Sequence, residues 1–283
     1  MDHRRTDVLV TGVPRGGTTL AGALLDSLPD TVCLSEPPWQ WHKSTGGQLD
    51  IGSDPTGEVF AKWLVGDFVD IRRRLLIGEE VLDRRRRDAR PSTNYHPANS
   101  GSQPVSASDL SMRPVRGGEL TTDFTLAIKH NGPYLTALRP LLRLQHFKVI
   151  ALVRHPVDVI HSWRSLNLPV SRGKMQDAAR CWPEMAAVTD SGDVLKRQVL
   201  IYDLICERLQ SFRDQISILR YEDVCAAPGL ISAAVGAKDM PDKQLITKPS
   251  RQVDAEQSEI IASALNAYGS HYRHFYPDLG ASG

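Results

Sequence analysis

The chain has few cysteines, no excess of charge of either sign and no long apolar run, and each shortage excludes a class of protein. Only four of its 283 residues are cysteine. Cys33, Cys181, Cys206 and Cys225 are scattered, with no C-x-x-C pair, which argues against both a disulfide framework and a cysteine zinc site. A reducing, cytoplasmic setting is the expectation. The net charge of +1 argues against general nucleic-acid binding. No run reaches the roughly 18 apolar residues that a membrane helix needs. The opening "MDHRRTDVLV" has too short an apolar run to read as a signal peptide, so no membrane partner is expected. What remains is a composition ordinary for a globular protein, 41% hydrophobic and 24% charged, in a chain long enough for one large domain or two small ones.

Strand and helix patterns alternate along the chain. Residues 7–11 read as a buried strand, and Thr18 to Leu28 as a helix stopping near Pro29. "TVCL" at 31–34 is a second strand, and 58–77 a helix with Phe60, Trp63, Leu64, Phe68 and Ile71 on one face. "FTLAIKH" (124–130), "FKVIALV" (147–153) and "ISILRY" (216–221) read as further strands. Helices are expected through "YLTALRPLLRL", over 156–166, 176–190 and 194–213, and near 255–268. Pro156 suits a first helical position, where its missing N–H costs nothing. The alternation predicts an α/β fold, a three-layer parallel sheet covered by helices on both faces. Residues 81–118 differ: seven arginines against three aspartates, much Ser, Pro, Asn and Gly, and little periodicity. They read as a long loop or lid. The run "RRRR" at 84–87 reads either as a solvated charged surface or as a basic flap over an anion.

The chemistry starts at "VLVTGVPRGGTTL", residues 8–20. Gly12 and Gly17 have phosphate-loop spacing, and Thr19 holds the hydroxyl position. Thr18 stands where a nucleotide-binding loop has lysine. Glycines let backbone N–H groups converge on an anion, and the helix N-terminus adds partial positive charge. The cation has moved to Arg15. Nor does a central strand end in an acid for Mg²⁺: "KVIALV" runs into Arg154, and "ISILRY" contains Arg220, with Glu222 and Asp223 just beyond. The pattern points to a cationic site with no metal.

At these residues the chain resembles a family. "GVPRGGTTL" is similar to the 5′-phosphosulfate loop of sulfotransferases, usually P-[RK]-[ST]-G-T-[TW]. "ALVRHPVDVIHSW" is similar to their 3′-phosphate segment, with Arg154 and Ser162 eight residues apart. "LRYEDV" at 219–224 resembles a further motif of these enzymes, and the three together frame residues 8–225. Gly16 departs from the pattern, where the family has Ser or Thr. The resemblance implies a sulfotransferase of P-loop-like fold. Its donor would be 3′-phosphoadenosine-5′-phosphosulfate (PAPS), used without a metal. Pro14, Arg15, Gly16, Gly17, Thr18 and Thr19 would hold one anionic end. Arg154 and Ser162, with Lys248 and Arg251 as further candidates, would hold the other, a separate anion site.

Sulfuryl transfer to a hydroxyl needs a base and cations around the moving group. Glu36, in "CLSEPPWQW" just after the second strand, is the first candidate base; it also reads as an ordinary loop carboxylate. Trp39 and Trp41 are candidate walls for an acceptor, or simply packed. His130 is the rival base, or a structural histidine, and Lys129 a candidate to neutralise the sulfonate or the leaving phosphate, or a strand-end surface lysine. His271 and His274 share a spacing but lack a third metal ligand nearby in sequence. A P-loop small-molecule kinase and a non-catalytic nucleotide binder are the alternatives. The expected partner is a hydroxylated small molecule, such as a natural product or glycoside.

Overall fold

The computed structural model describes residues 6–37, 54, 56–84, 112–166, 169–175, 178, 182–188, 192–246 and 254–279. Five parallel strands form the main sheet: β1 (Asp7–Gly12), β2 (Thr31–Ser35), β5 (Thr125–Lys129), β6 (Phe147–Val153) and β7 (Ser217–Arg220). Their order is β2-β5-β1-β6-β7, so β1 lies at the centre. All six of its residues are buried. In register, Val8 sits opposite Ala127 on one side and Lys148 on the other.

Residues alternate between the faces of a strand, and two apolar clusters result. Leu9, Leu126, Ile128, Val149, Ala151 and Val153 face the larger one. Helix α2 (Glu58–Leu76) covers it with Phe60, Leu64 and Phe68, and α5 (Pro156–Arg164), α7 (Val194–Ser211) and α10 (Ala255–Tyr268) add to it. Val8, Val10, Ala127, Ile150 and Leu152 face the smaller cluster. Helix α1 (Thr18–Asp26) covers that face with Ala21, Leu24 and Leu25, joined by Val224 of α8 (Tyr221–Ala226) and Ile231 of α9 (Gly229–Val235). Burial on both faces explains why these strands read as continuous apolar runs. The parallel sheet flanked by helices is the fold expected from the alternation.

Three expectations are corrected. The helix through 134–144 is two short ones, α3 (Asn131–Thr136) and α4 (Leu138–Arg143), parted at Ala137. Pro140 has no N–H to donate to the Thr136 carbonyl. That carbonyl accepts instead from Arg208 Nη2 at 2.8 Å. Residues 81–118 are not loop at their ends: β3 (Val81–Arg84) pairs antiparallel with β4 (Met112–Val115). The stretch between, including Arg85 to Arg87, lies outside the described residues. Beyond β7 the chain forms helices α8 and α9, where no helix was expected. Of the helix expected over 176–190, the described part is Ala178 and α6 (Pro183–Val188). Among the described residues, no helix is long and apolar enough to cross a membrane.

Candidate active site

Parallel strands place all their carboxyl ends on one edge, where open α/β sheets bind ligands. The glycine loop follows β1, Glu36 follows β2, Lys129 ends β5 with His130 next, Arg154 follows β6, and Tyr221 follows β7. Sequence-distant residues therefore meet along one rim.

The loop turns tightly against β6. Gly12 has φ 135°, and a Cβ there would lie 2.1 Å from the Leu152 carbonyl oxygen. Gly17, at φ 101°, leads into α1, and its Cβ would lie 2.4 Å from Tyr221 Cδ2. Both glycines are required, by backbone and by space. Gly16 is closed to a side chain as well: its Cβ would be 2.7 Å from Val13 O and 3.0 Å from Leu152 O. Val13 N–H donates to Leu152 O, and Trp163 Nε1 donates to Pro14 O at 2.8 Å, pinning the loop to the sheet and to α5. The first-turn N–H groups at Thr18 and Thr19 have no partner within their own helix.

Arg15 stands at φ 69°, in the left-handed region that few non-glycine residues occupy. Its Nε donates to Ser162 Oγ at 3.3 Å. Burial, then the nearby Arg154 guanidinium, pull Arg15 below its ordinary pKa. Through this bond Arg15 meets Ser162, while the like charges of Arg15 and Arg154 disfavour one another. Arg154 Nη2 donates to Asp158 Oδ2 at 3.0 Å, and its Cζ lies 4.8 Å from the centre of the Tyr221 ring. Its Nε is buried without a hydrogen-bond partner among the described residues. A buried donor of this kind calls for an acceptor.

Glu36, Lys129 and His130 come together at the ends of β2 and β5. Lys129, only 2% exposed, donates from Nζ to Glu36 Oε1 at 2.6 Å. Glu36 N–H donates to Lys129 O, and Glu36 O accepts from Arg84 Nε at 3.3 Å. Glu36 also sits at a left-handed φ of 50°. Burial alone would raise its pKa; Lys129 and His130, with the Lys129 hydrogen bond and Arg84, outweigh that and hold it below the usual range. Its Oε2 is buried and unpartnered among the described residues. His130 is pushed down to about 4, first by burial, with Glu36 opposing and Lys129 and Arg84 assisting. It is therefore neutral near pH 7.

Two residues escaped the sequence reading. Arg84 appeared only as one of a basic run, with nothing to tie it to Glu36. Glu222 appeared only as an acid near a strand end. It accepts from His155 N–H at 2.9 Å on Oε1 and from the Tyr276 hydroxyl at 2.8 Å on Oε2. Asp223 lies 3.8 Å from Arg220. His271 lies in a 3-10 turn, and its Nδ1 is 3.0 Å from Asp203 Oδ2. Trp39, Trp41, Lys248 and Arg251 lie outside the described residues. No group of three potential metal ligands occurs among the described residues.

A glycine loop and two arginines, Arg15 and Arg154, thus stand at the carboxyl edge of a parallel sheet covered by helices. The family model "Sulfotransferase domain" matches residues 5–229. The chain belongs to the sulfotransferase family. Among solved structures, a sulfotransferase from Alicyclobacillus acidocaldarius is similar at 13% identity and TM-score 0.46, covering 96% of this chain and 95% of that one. The sulfotransferase STF1 of Mycobacterium tuberculosis H37Rv is similar at 14% identity and TM-score 0.39, covering 93% and 77%. No curated protein matches the chain by sequence.

Proposed function

We propose that the chain transfers a sulfuryl group from PAPS to a hydroxyl of a small-molecule acceptor in the cytoplasm, in line and without a metal ion. The observation that carries this reading is Glu36: one carboxylate oxygen held by Lys129, the other buried and unpartnered among the described residues, on the same edge as the glycine loop. Bound PAPS would supply a sulfonate on a phosphate leaving group. Pro14 to Thr19 would hold its 5′ end through backbone N–H groups and Arg15. Arg154 and Ser162, with Lys248 and Arg251 as added candidates, would hold the 3′-phosphate by charge and a planar fork.

Glu36 Oε2 is the atom we assign to take the acceptor's proton. Lys129 keeps this carboxylate ionised. Drawn to a second anion, Lys129 would loosen its hold, and burial would then raise the proton affinity of Glu36. His130, neutral beside the pair, remains the second candidate for the proton. The test is calorimetric titration with 3′,5′-adenosine bisphosphate beside ATP with Mg²⁺, followed by Glu36→Gln. Tight bisphosphate binding, with turnover lowered about 10²- to 10⁴-fold in the variant and binding retained, is expected for a lost general base. Preference for ATP with Mg²⁺ would overturn the reading. A fully active Glu36→Gln enzyme would pass the base to His130.

A further inference from the structure

The Arg154–His155 peptide is clamped at both of its polar ends by side chains. Its carbonyl, on Arg154, accepts from the Tyr202 hydroxyl at 2.6 Å. Its N–H, on His155, donates to Glu222 Oε1 at 2.9 Å. This peptide lies between the end of β6 and the start of α5, where neither ladder nor helix fixes it. Its orientation decides the direction in which the Arg154 side chain leaves the sheet.

The far oxygen of Glu222 accepts from the Tyr276 hydroxyl at 2.8 Å. Tyr276 is 5% exposed, with its ring 5.5 Å from the His155 ring and 4.7 Å from the Arg220 Cζ. It lies well beyond residue 229, where the family match ends. Asp203 holds this C-terminal segment down: its Oδ1 accepts from Ser270 N–H and Tyr272 N–H, both at 2.9 Å, and its Oδ2 faces His271. Tyr202 and Asp203 are neighbours on α7. One turn of that helix therefore grips both the Arg154 carbonyl and the C-terminal segment.

We propose that Glu222 and Tyr276 are positioning residues for Arg154, through which the C-terminal segment sets the enzyme's affinity for the 3′-phosphate of its donor. The inference rests on the reading of Arg154 as the 3′-phosphate ligand. Tyr276 fixes the Glu222 carboxylate, Glu222 fixes the His155 N–H, and the shared peptide aims the guanidinium. The Tyr221 ring and Asp158 then steady its end.

The experiment compares 3′,5′-adenosine bisphosphate with adenosine 5′-monophosphate by calorimetry. The ratio of the two dissociation constants isolates the 3′-phosphate. Wild type is expected to prefer the bisphosphate. Tyr276→Phe is expected to lower that preference about tenfold, the scale of one hydrogen bond to a charged group, with monophosphate affinity unchanged. Glu222→Gln is a second variant with the same expected direction. In an Arg154→Ala background, Tyr276→Phe is expected to add no further loss, because residues acting through one another are non-additive. A general loss of stability would weaken both nucleotides alike. Equal weakening, or an unchanged ratio, overturns the inference and leaves the donor assignment standing. A wild type without preference for the bisphosphate overturns the donor assignment, and the inference with it.

Discussion

Replacing Lys129 with methionine removes the cation and keeps the bulk of the side chain. Lys129 is 2% exposed and Glu36 about 10%, at 2.6 Å. Removing one partner of a buried ion pair leaves the other as an uncompensated charge, at a cost of about 3–5 kcal/mol. In a protein of this size each kcal/mol shifts Tm by roughly 2–4 °C, so a drop of the order of 10 °C is expected at pH 7. The pH dependence carries the sharper test. In the native protein the Glu36 pKa is depressed. It therefore contributes stability that is present above its unfolded pKa and is lost as pH falls through the lower folded value. Without Lys129 the dominant remaining influence is burial, which raises the carboxyl pKa. The variant's penalty is then present at neutral pH and shrinks as the medium becomes acidic enough to neutralise the carboxyl. Urea denaturation of both proteins at pH 7 and near pH 5 measures this. A loss below about 1 kcal/mol at pH 7 would refute the reasoning, since that is the worth of an exposed pair. So would a penalty of the same size at both pH values.

Other consequences are simpler to state. Gly16→Ser, which restores the family's usual residue, is expected to weaken bisphosphate binding, because its Cβ would sit 2.7 Å from the Val13 carbonyl oxygen; tighter binding in titration would contradict the packing described. The pH–rate profile of kcat/KM is expected to be flat between about pH 5 and 7, since Glu36 is held below the usual range and His130 at about 4; an inflection near pH 6.5 that disappears in His130→Asn would assign the base to His130. Trp163→Phe removes the indole N–H from the Pro14 carbonyl. A loss above the roughly 1 kcal/mol of a single hydrogen bond is expected in chemical denaturation, because fully buried Trp163 also leaves a cavity, and bisphosphate affinity is expected to fall as the loop loosens. Activity is expected to survive EDTA, and abolition by the chelator would return attention to a kinase.

Much of the fold was legible because its signals are local. The apolar runs of β1 and β6, the stop at Pro29 and the α2 face of Phe60, Leu64 and Phe68 each lie within one element. The glycine loop was legible for the same reason: backbone room is a property of a few consecutive residues. The break between α3 and α4 was half legible, since Pro140 announced a lost hydrogen bond but not the Arg208 that replaces it. The strands at 81–84 and 112–115 were not, because four-residue strands carry little periodicity and their pairing partner is far along the chain.

By itself, then, the sequence determined the strands of the main sheet, most of the helices that cover it, the glycine loop and the residues at each strand end, because propensity, periodicity and steric freedom act over a few residues. Only the tertiary structure decided what those residues touch. Lys129 meets Glu36 across 93 positions, His155 meets Glu222 across 67, and Tyr276 meets Glu222 across 54. A charge finds its partner only once the parallel strands have brought their carboxyl ends to one edge. The burial that sets the protonation of Glu36 and His130 arises only at that stage.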